Sequence, residues 1–110
     1  MRLSRSDRVW LRAYRDALVA HCPGAVERML VYGSKARGTA HPDSDLDVLL
    51  VINDRWVKRQ RRLRRIGYLL AATLDVLPSI LVYTRSQWAQ RAVSGSPFRR
   101  AVERDAVAFQ

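Results

Sequence analysis

Asp45 and Asp47 stand two residues apart at the head of an apolar run, Val48-Leu49-Leu50-Val51-Ile52. On a strand this spacing puts both carboxylates on one face. They then converge on one cation, and hard divalent ions such as Mg2+ take oxygen ligands of this kind. Ten residues separate Asp45 from a Gly33-Ser34 step that closes an earlier apolar run, Leu30-Val31-Tyr32. Glycine lets a backbone or ligand approach closely and serine adds a hydroxyl donor, so the step suits a phosphate. Arg37, just beyond it, carries a planar fork that also suits phosphate, or else is a solvent-facing loop residue in a chain this basic. Taken singly the halves have plainer readings, because Gly-Ser is common in turns and paired aspartates at a strand head are often solvated or capping.

The flanking pattern predicts the elements that must hold these residues. Trp10, Ala13, Tyr14, Ala17 and Leu18 form one apolar helical face over Asp7 to His21, with Ser6 as N-cap. Pro23-Gly24 breaks that helix, and Val26 to Tyr32 reads as a strand delivering Gly33 and Ser34. A short helical turn over Lys35 to Gly38 and a loop over Thr39 to Ser44, containing Pro42, lead to a second strand, Asp45 to Asn53. That strand is apolar on both faces, as an interior position requires. A helix from about Arg55 to Leu74 follows, with Asp54 as its cap, Trp56, Leu63, Ile66, Gly67, Leu70 and Leu74 along its stripe, and Gln60 as a polar exception. Ile80 to Tyr83 suits a third strand. Thr84-Arg85-Ser86-Gln87 has the form of a capping box, and Ser96-Pro97 that of an N-cap followed by proline at N1. The expected fold is α/β (α+β): a small mixed sheet of three or more strands flanked by helices.

The 110 residues fit one domain over 1–110. The longest apolar stretch, Val48 to Ile52, is too short for a membrane span, and the charged start lacks a signal-peptide core, so a cytoplasmic protein is expected. Cys22 is the only cysteine and reads as a packing residue. His21 and His41 are isolated, and neither specifies chemistry without a partner. The net charge of +10 favours polyanions or acidic surfaces. It concentrates in Lys58, Arg59, Arg61, Arg62, Arg64 and Arg65, six cations within eight positions. These form either a solvated basic face or a grip for an acidic partner or RNA.

The segment from Leu30 to Val51 resembles the GS-x10-DxD signature of the DNA polymerase β-like nucleotidyltransferase superfamily. Its Ala36-Arg37-Gly38 and Ser44-Asp45-x-Asp47 details are similar to the minimal branch. The resemblance implies Mg2+ as cofactor and ATP as substrate. Asp45 and Asp47 would be catalytic metal ligands, Gly33 and Ser34 would hold the β/γ-phosphates, and Arg37 would help neutralise them. The family's third carboxylate falls in register on Ser79, with Asp75 four residues earlier as the weaker candidate. Larger superfamily members add a helical domain, whereas minimal ones are paired with small helical HEPN-type proteins in toxin-antitoxin operons. The implied function is transfer of AMP from ATP to a hydroxyl of such a partner. The alternative is a catalytically weak module that neutralises a protein partner, or binds RNA, through its basic helix. Transfer to a cationic small molecule such as an aminoglycoside fits this basic chain poorly.

Overall fold

The computed structural model describes residues 1–41 and 44–109. Helix α1 (Arg5–His21) starts two residues earlier than the apolar face alone predicts. Its N-cap is Ser4, not Ser6: the Ser4 hydroxyl accepts from Asp7 N–H, and the Asp7 carboxylate accepts from Ser4 N–H, both at 3.0 Å. Ser6 has no acid or amide three residues on to complete such a box, since Val9 stands there. Strand β1 (Val26–Tyr32) runs directly into a one-turn helix, α2 (Gly33–Arg37), closed by Gly38 in the left-handed region. The expected loop then includes Pro42 and Asp43, which lie outside the described residues.

Strand β2 (Leu46–Ile52) is followed by a 3-10 segment, Asp54–Arg59, and by α3 (Gln60–Ala71). The single long helix expected from Arg55 to Leu74 is therefore divided and shorter. Asn53, not Asp54, caps its start, accepting from Arg55 N–H at 3.0 Å. Asp54 turns instead to α4 (Arg85–Val93), where it accepts from the Ser86 N–H and hydroxyl. Strand β3 (Pro78–Thr84) precedes α4, whose Thr84–Gln87 capping box is present as the sequence implies. Helix α5 (Pro97–Asp105) is capped by Ser96 with proline at its start, and a two-residue strand, β4 (Val107–Ala108), follows.

The strands form a mixed sheet in the order β3-β2-β1-β4. β1 is antiparallel to β2 and β4, and β2 is parallel to β3. The α/β (α+β) sheet flanked by helices is thus the observed architecture, with β4 as a fourth strand. Alternation along β2 divides the core. Val48, Leu50 and Ile52 face Trp10, Leu11, Tyr14, Leu18 and Leu63 of α1 and α3, whereas Leu49 and Val51 face Trp88 and Val102 of α4 and α5. Each such fully buried side chain contributes roughly 1.5–3 kcal/mol. Cys22 is buried in the first of these clusters, as a packing residue would be.

Helix α1 lies close on α3 because position 67 is glycine. A Cβ there would stand 2.5 Å from Ile80 Cδ1 and 2.9 Å from Tyr14 Cζ. The polar tips of the packed aromatics are satisfied on α3 carbonyls: Trp10 Nε1–H donates to Gly67 O and Tyr14 O–H to Leu63 O. Gln60, the polar residue on the apolar stripe, donates to Val82 O on the outer edge of β3. Among the described residues no helix is long and apolar enough to cross a membrane.

On the opposite face Glu103 joins three elements. It accepts from Arg28 of β1 at 2.9 and 3.3 Å and from Trp88 Nε1–H of α4 at 3.0 Å. The Arg28 hydrogen bond is the main reason its carboxyl sits below the ordinary glutamate value. A carboxylate depressed in the folded state adds stability above its unfolded pKa of about 4.3 and loses it as pH falls through the folded value. Glu103→Gln should therefore cost about 1 kcal/mol near pH 7, the half-exposed site limiting the effect. The difference should close as pH falls below the ordinary glutamate range, as urea unfolding of parent and variant will read.

Candidate active site

The sheet register brings the two halves of the sequence signature together. Tyr32, the last residue of β1, pairs with Asp47 on β2, and Asp47 pairs with Ser79 on β3. Gly33 follows Tyr32 with φ +74, a conformation that side chains rarely adopt. A Cβ added at Gly33 would stand 2.2 Å from Asp47 Oδ2. The Asp47 carboxylate thus lies against the glycine Cα, and no other residue leaves room for it.

Asp45 is exposed just ahead of β2 and Asp47 is half-buried at its second position. Burial raises the Asp47 carboxyl, the Asp45 charge raises it further, and Arg37 and then Lys35 oppose the rise. Carboxylate oxygens are hard donors, and a divalent cation beside Asp47 would offset the burial and the Asp45 charge that raise it. That donor set fits Mg2+. Among the described residues no group of three or more His, Cys, Asp or Glu gathers, so the carboxylate donors of this site number two. Ser79 occupies the neighbouring register position as a neutral oxygen. Asp75 lies outside the sheet, exposed in the turn after α3 with φ +49, and does not join the site.

Ser34 is half-buried in the first turn of α2, and its hydroxyl has no hydrogen bond among the described residues. Arg37 is about half exposed, with Nη1 3.9 Å from Asp105 Oδ2 at the end of α5. Arg104 also pairs with Asp105, and that hydrogen bond is the main reason the Asp105 carboxyl lies below its ordinary value, with Arg37 a weaker contributor. Lys35 has a different task. Its side chain is buried and its Nζ donates to Asp7 Oδ2 at 2.6 Å, tying α2 to the capping box of α1. His41 is exposed on the adjoining loop and His21 at the end of α1. The basic positions Lys58, Arg59, Arg61, Arg62, Arg64 and Arg65 do not join the site, because the chain reaches them only after β2 has run to its far end.

Two neighbours of the site were not singled out from the sequence. Tyr32 is edge-on to Phe98 at 5.7 Å, and its phenol is pushed up to about 12, by burial first and then by the Asp47 charge. Asp105 carried one signal: it falls on the apolar stripe of α5 with Phe98, Ala101 and Val102. A charge on such a stripe needs a partner.

A carboxylate pair set against a glycine turn at the end of a mixed sheet, between helical layers, is the arrangement of a nucleotidyltransferase fold. A family model of the nucleotidyltransferase domain matches residues 11–103, and the chain belongs to that family. It is similar to a solved structure identified by inference as a minimal nucleotidyltransferase, at 31% identity and TM-score 0.58, over 97% of this chain and 100% of that one. A nucleotidyltransferase from Sulfolobus solfataricus, its activity likewise inferred, shares the fold at 17% identity and TM-score 0.50, over 98% of this chain and 88% of that one. A search of curated proteins gives no match.

The two glycines that bracket α2 separate strain from contact. Both have positive φ, but a Cβ at Gly38 meets nothing within 4 Å. Gly33→Ala and Gly38→Ala should each lose about 1–2 kcal/mol of stability in chemical denaturation. Only Gly33→Ala should also displace the Asp47 carboxylate, read by NMR as a shift of the Asp47 carboxyl resonance that Gly38→Ala does not produce.

Proposed function

We propose that this chain transfers AMP from ATP to a hydroxyl of a partner protein, with Mg2+, in the cytoplasm. The partner is a small helical HEPN-type toxin, which the modification neutralises. The observation that supports the reading is the Asp47 carboxylate against Gly33, with Asp45 two residues ahead of it in the chain. Asp45 and Asp47 would hold the metal ion. When bound there, Mg2+ supplies positive charge beside the triphosphate.

The chain's own residues define the rest of the reaction. The open backbone at Gly33 and the Ser34 hydroxyl receive the β- and γ-phosphates, and the Arg37 fork neutralises charge as it passes to the leaving group. The acceptor oxygen bonds to the α-phosphorus and the bond from that phosphorus to the bridging oxygen of the β-phosphate breaks. Pyrophosphate leaves, and the hydroxyl proton passes to solvent. Ser79 beside Asp47 supplies no third negative charge, which slows activation of the acceptor more than it weakens nucleotide binding.

A second reading is favoured by Ser79 together with the exposed cations at Lys58, Arg59, Arg61, Arg62 and Arg65. In that reading the chain is a weak or inactive catalyst that masks its partner by contact through the basic segment.

One assay separates them. The chain is incubated with ATP labelled at the α-phosphate, Mg2+ and the small helical protein encoded beside it. Label should appear on the partner with the parent and fall at least about 100-fold with Asp45→Asn or Asp47→Asn. Ser79→Asp should raise the rate by restoring a carboxylate in register. A stable complex that forms equally with parent and Asp47→Asn, with no label transferred, selects the masking reading.

A further inference from the structure

The densest run of cations in the chain, within residues 55–65, lies away from the Gly33–Asp47 site. The Gly33–Asp47 site lies where β1 ends and β2 begins. Pro23 precedes β1, and Arg55 to Arg59 follow β2, so both lie at the other end, about 20 Å away along a seven-residue strand. There a shallow groove of about 460 Å³ is lined by Pro23, Arg55, Trp56, Lys58 and Arg59. The basic helix α3 continues from it with Arg61, Arg62, Arg64 and Arg65.

These seven side chains hold most of the net charge of +10. Among the described residues none of them is ion-paired. All are exposed except Arg64, which is half-buried. On the 3-10 segment and helix they recur three and four residues apart, which puts them about 5–6 Å from one another at Cβ, where unpaired like charges repel. Trp56 is half-buried against the core, and the Arg59 guanidinium lies over its ring at 5.2 Å. That stack holds one planar, charged fork at the mouth of the groove.

The composition selects the ligand class. Across residues 54–65 the one large apolar side chain that is exposed is Val57. Protein interfaces have an apolar centre depleted of charge. Nucleic-acid interfaces are polar and strongly positive, and arginine matches phosphate with two donors at once. We propose that this groove and the basic face of α3 bind single-stranded RNA through its phosphates, at a site separate from the nucleotide site. The site stands whether or not Asp45 and Asp47 support transfer.

The test is fluorescence anisotropy with a labelled oligouridine of about 16 nucleotides, titrated between about 50 and 200 mM salt. The parent should bind, with affinity falling steeply as salt rises. The variant Arg59→Ala/Arg61→Ala/Arg62→Ala/Arg65→Ala should bind roughly tenfold or more weakly, and its salt slope should shrink by about 0.7 for each phosphate that the variant no longer neutralises. A control that removes the same charge elsewhere, Arg5→Ala/Arg8→Ala/Arg12→Ala/Arg100→Ala, should keep both affinity and slope. All eight positions are exposed, and thermal unfolding of both variants checks that they fold. Asp47→Asn should bind RNA as the parent does, and saturating ATP with Mg2+ should not displace it. Four results would each overturn the proposal: no binding by the parent, equal loss in both quadruple variants, displacement of the RNA by ATP, or equally good binding of an oligoglutamate of the same charge. The last would assign the surface to an acidic protein.

Discussion

Everything at the candidate-site end of the molecule depends on one contact, the Asp47 carboxylate against the Cα of Gly33. It requires β1 and β2 to hold their register through to Tyr32 and Asp47, because a slip of one residue would send the carboxylate to the opposite face. The register is in turn held by the core. Val48, Leu50 and Ile52 are committed to the α1/α3 layer and Leu49 and Val51 to the α4/α5 layer, so both faces of β2 are specified. A strand that is buried on both sides is a firm base on which to set a half-buried acid. Asp7 and Lys35 add a second brace, since a buried ion pair joins the start of α1 to the turn that follows Gly33. Breaking a pair of that kind by removing one partner typically costs about 3–5 kcal/mol, because it leaves a buried charge uncompensated.

The outer edge of the sheet is closed by side chains. On β3, Ile80 N–H donates to the Tyr68 hydroxyl, Val82 O accepts from Gln60, and Thr84 N–H donates to Gln87 Oε1. Open strand edges invite pairing with other chains, and these three residues occupy the groups that such pairing would use. The other edge strand, β4, is two residues long. Pairing along β3 is therefore disfavoured, and the unpaired positive charge lies elsewhere, on the 3-10 segment and α3.

Much of this was legible in the amino-acid order because it is local. The boundaries of β1, the interior character of β2, the Thr84–Gln87 box and the Ser96-Pro97 start all follow from patterns a few residues long. What was not legible depends on contacts between distant parts of the chain. Val107 and Ala108 are a strand only because Val31 and Leu30 lie beside them, and two residues carry no periodicity. Asp54 looks like a helix cap, yet its carboxylate is used by Ser86, thirty-two residues away in sequence. Lys35 follows Gly33 and Ser34 directly, yet its ammonium is turned to Asp7, twenty-eight residues earlier in sequence. Gln60 was visible as an anomaly on an apolar stripe, and the structure supplies the carbonyl that explains it. At the site itself the spacing marked Gly33, Ser34, Asp45 and Asp47, while the support from Tyr32 and Asp105 needed the third dimension.

Ser79 is the position at which chemistry and charge are most finely balanced. In register beside Asp47, a third acid would sit next to a carboxyl already raised by burial and by Asp45. Without a cation such a triad would be costly, because each added like charge in a half-buried site opposes ionisation of the others. A serine there lowers that cost and leaves the pair under the influence of Arg37 and Lys35. The site is consequently less strained than one with three carboxylates would be.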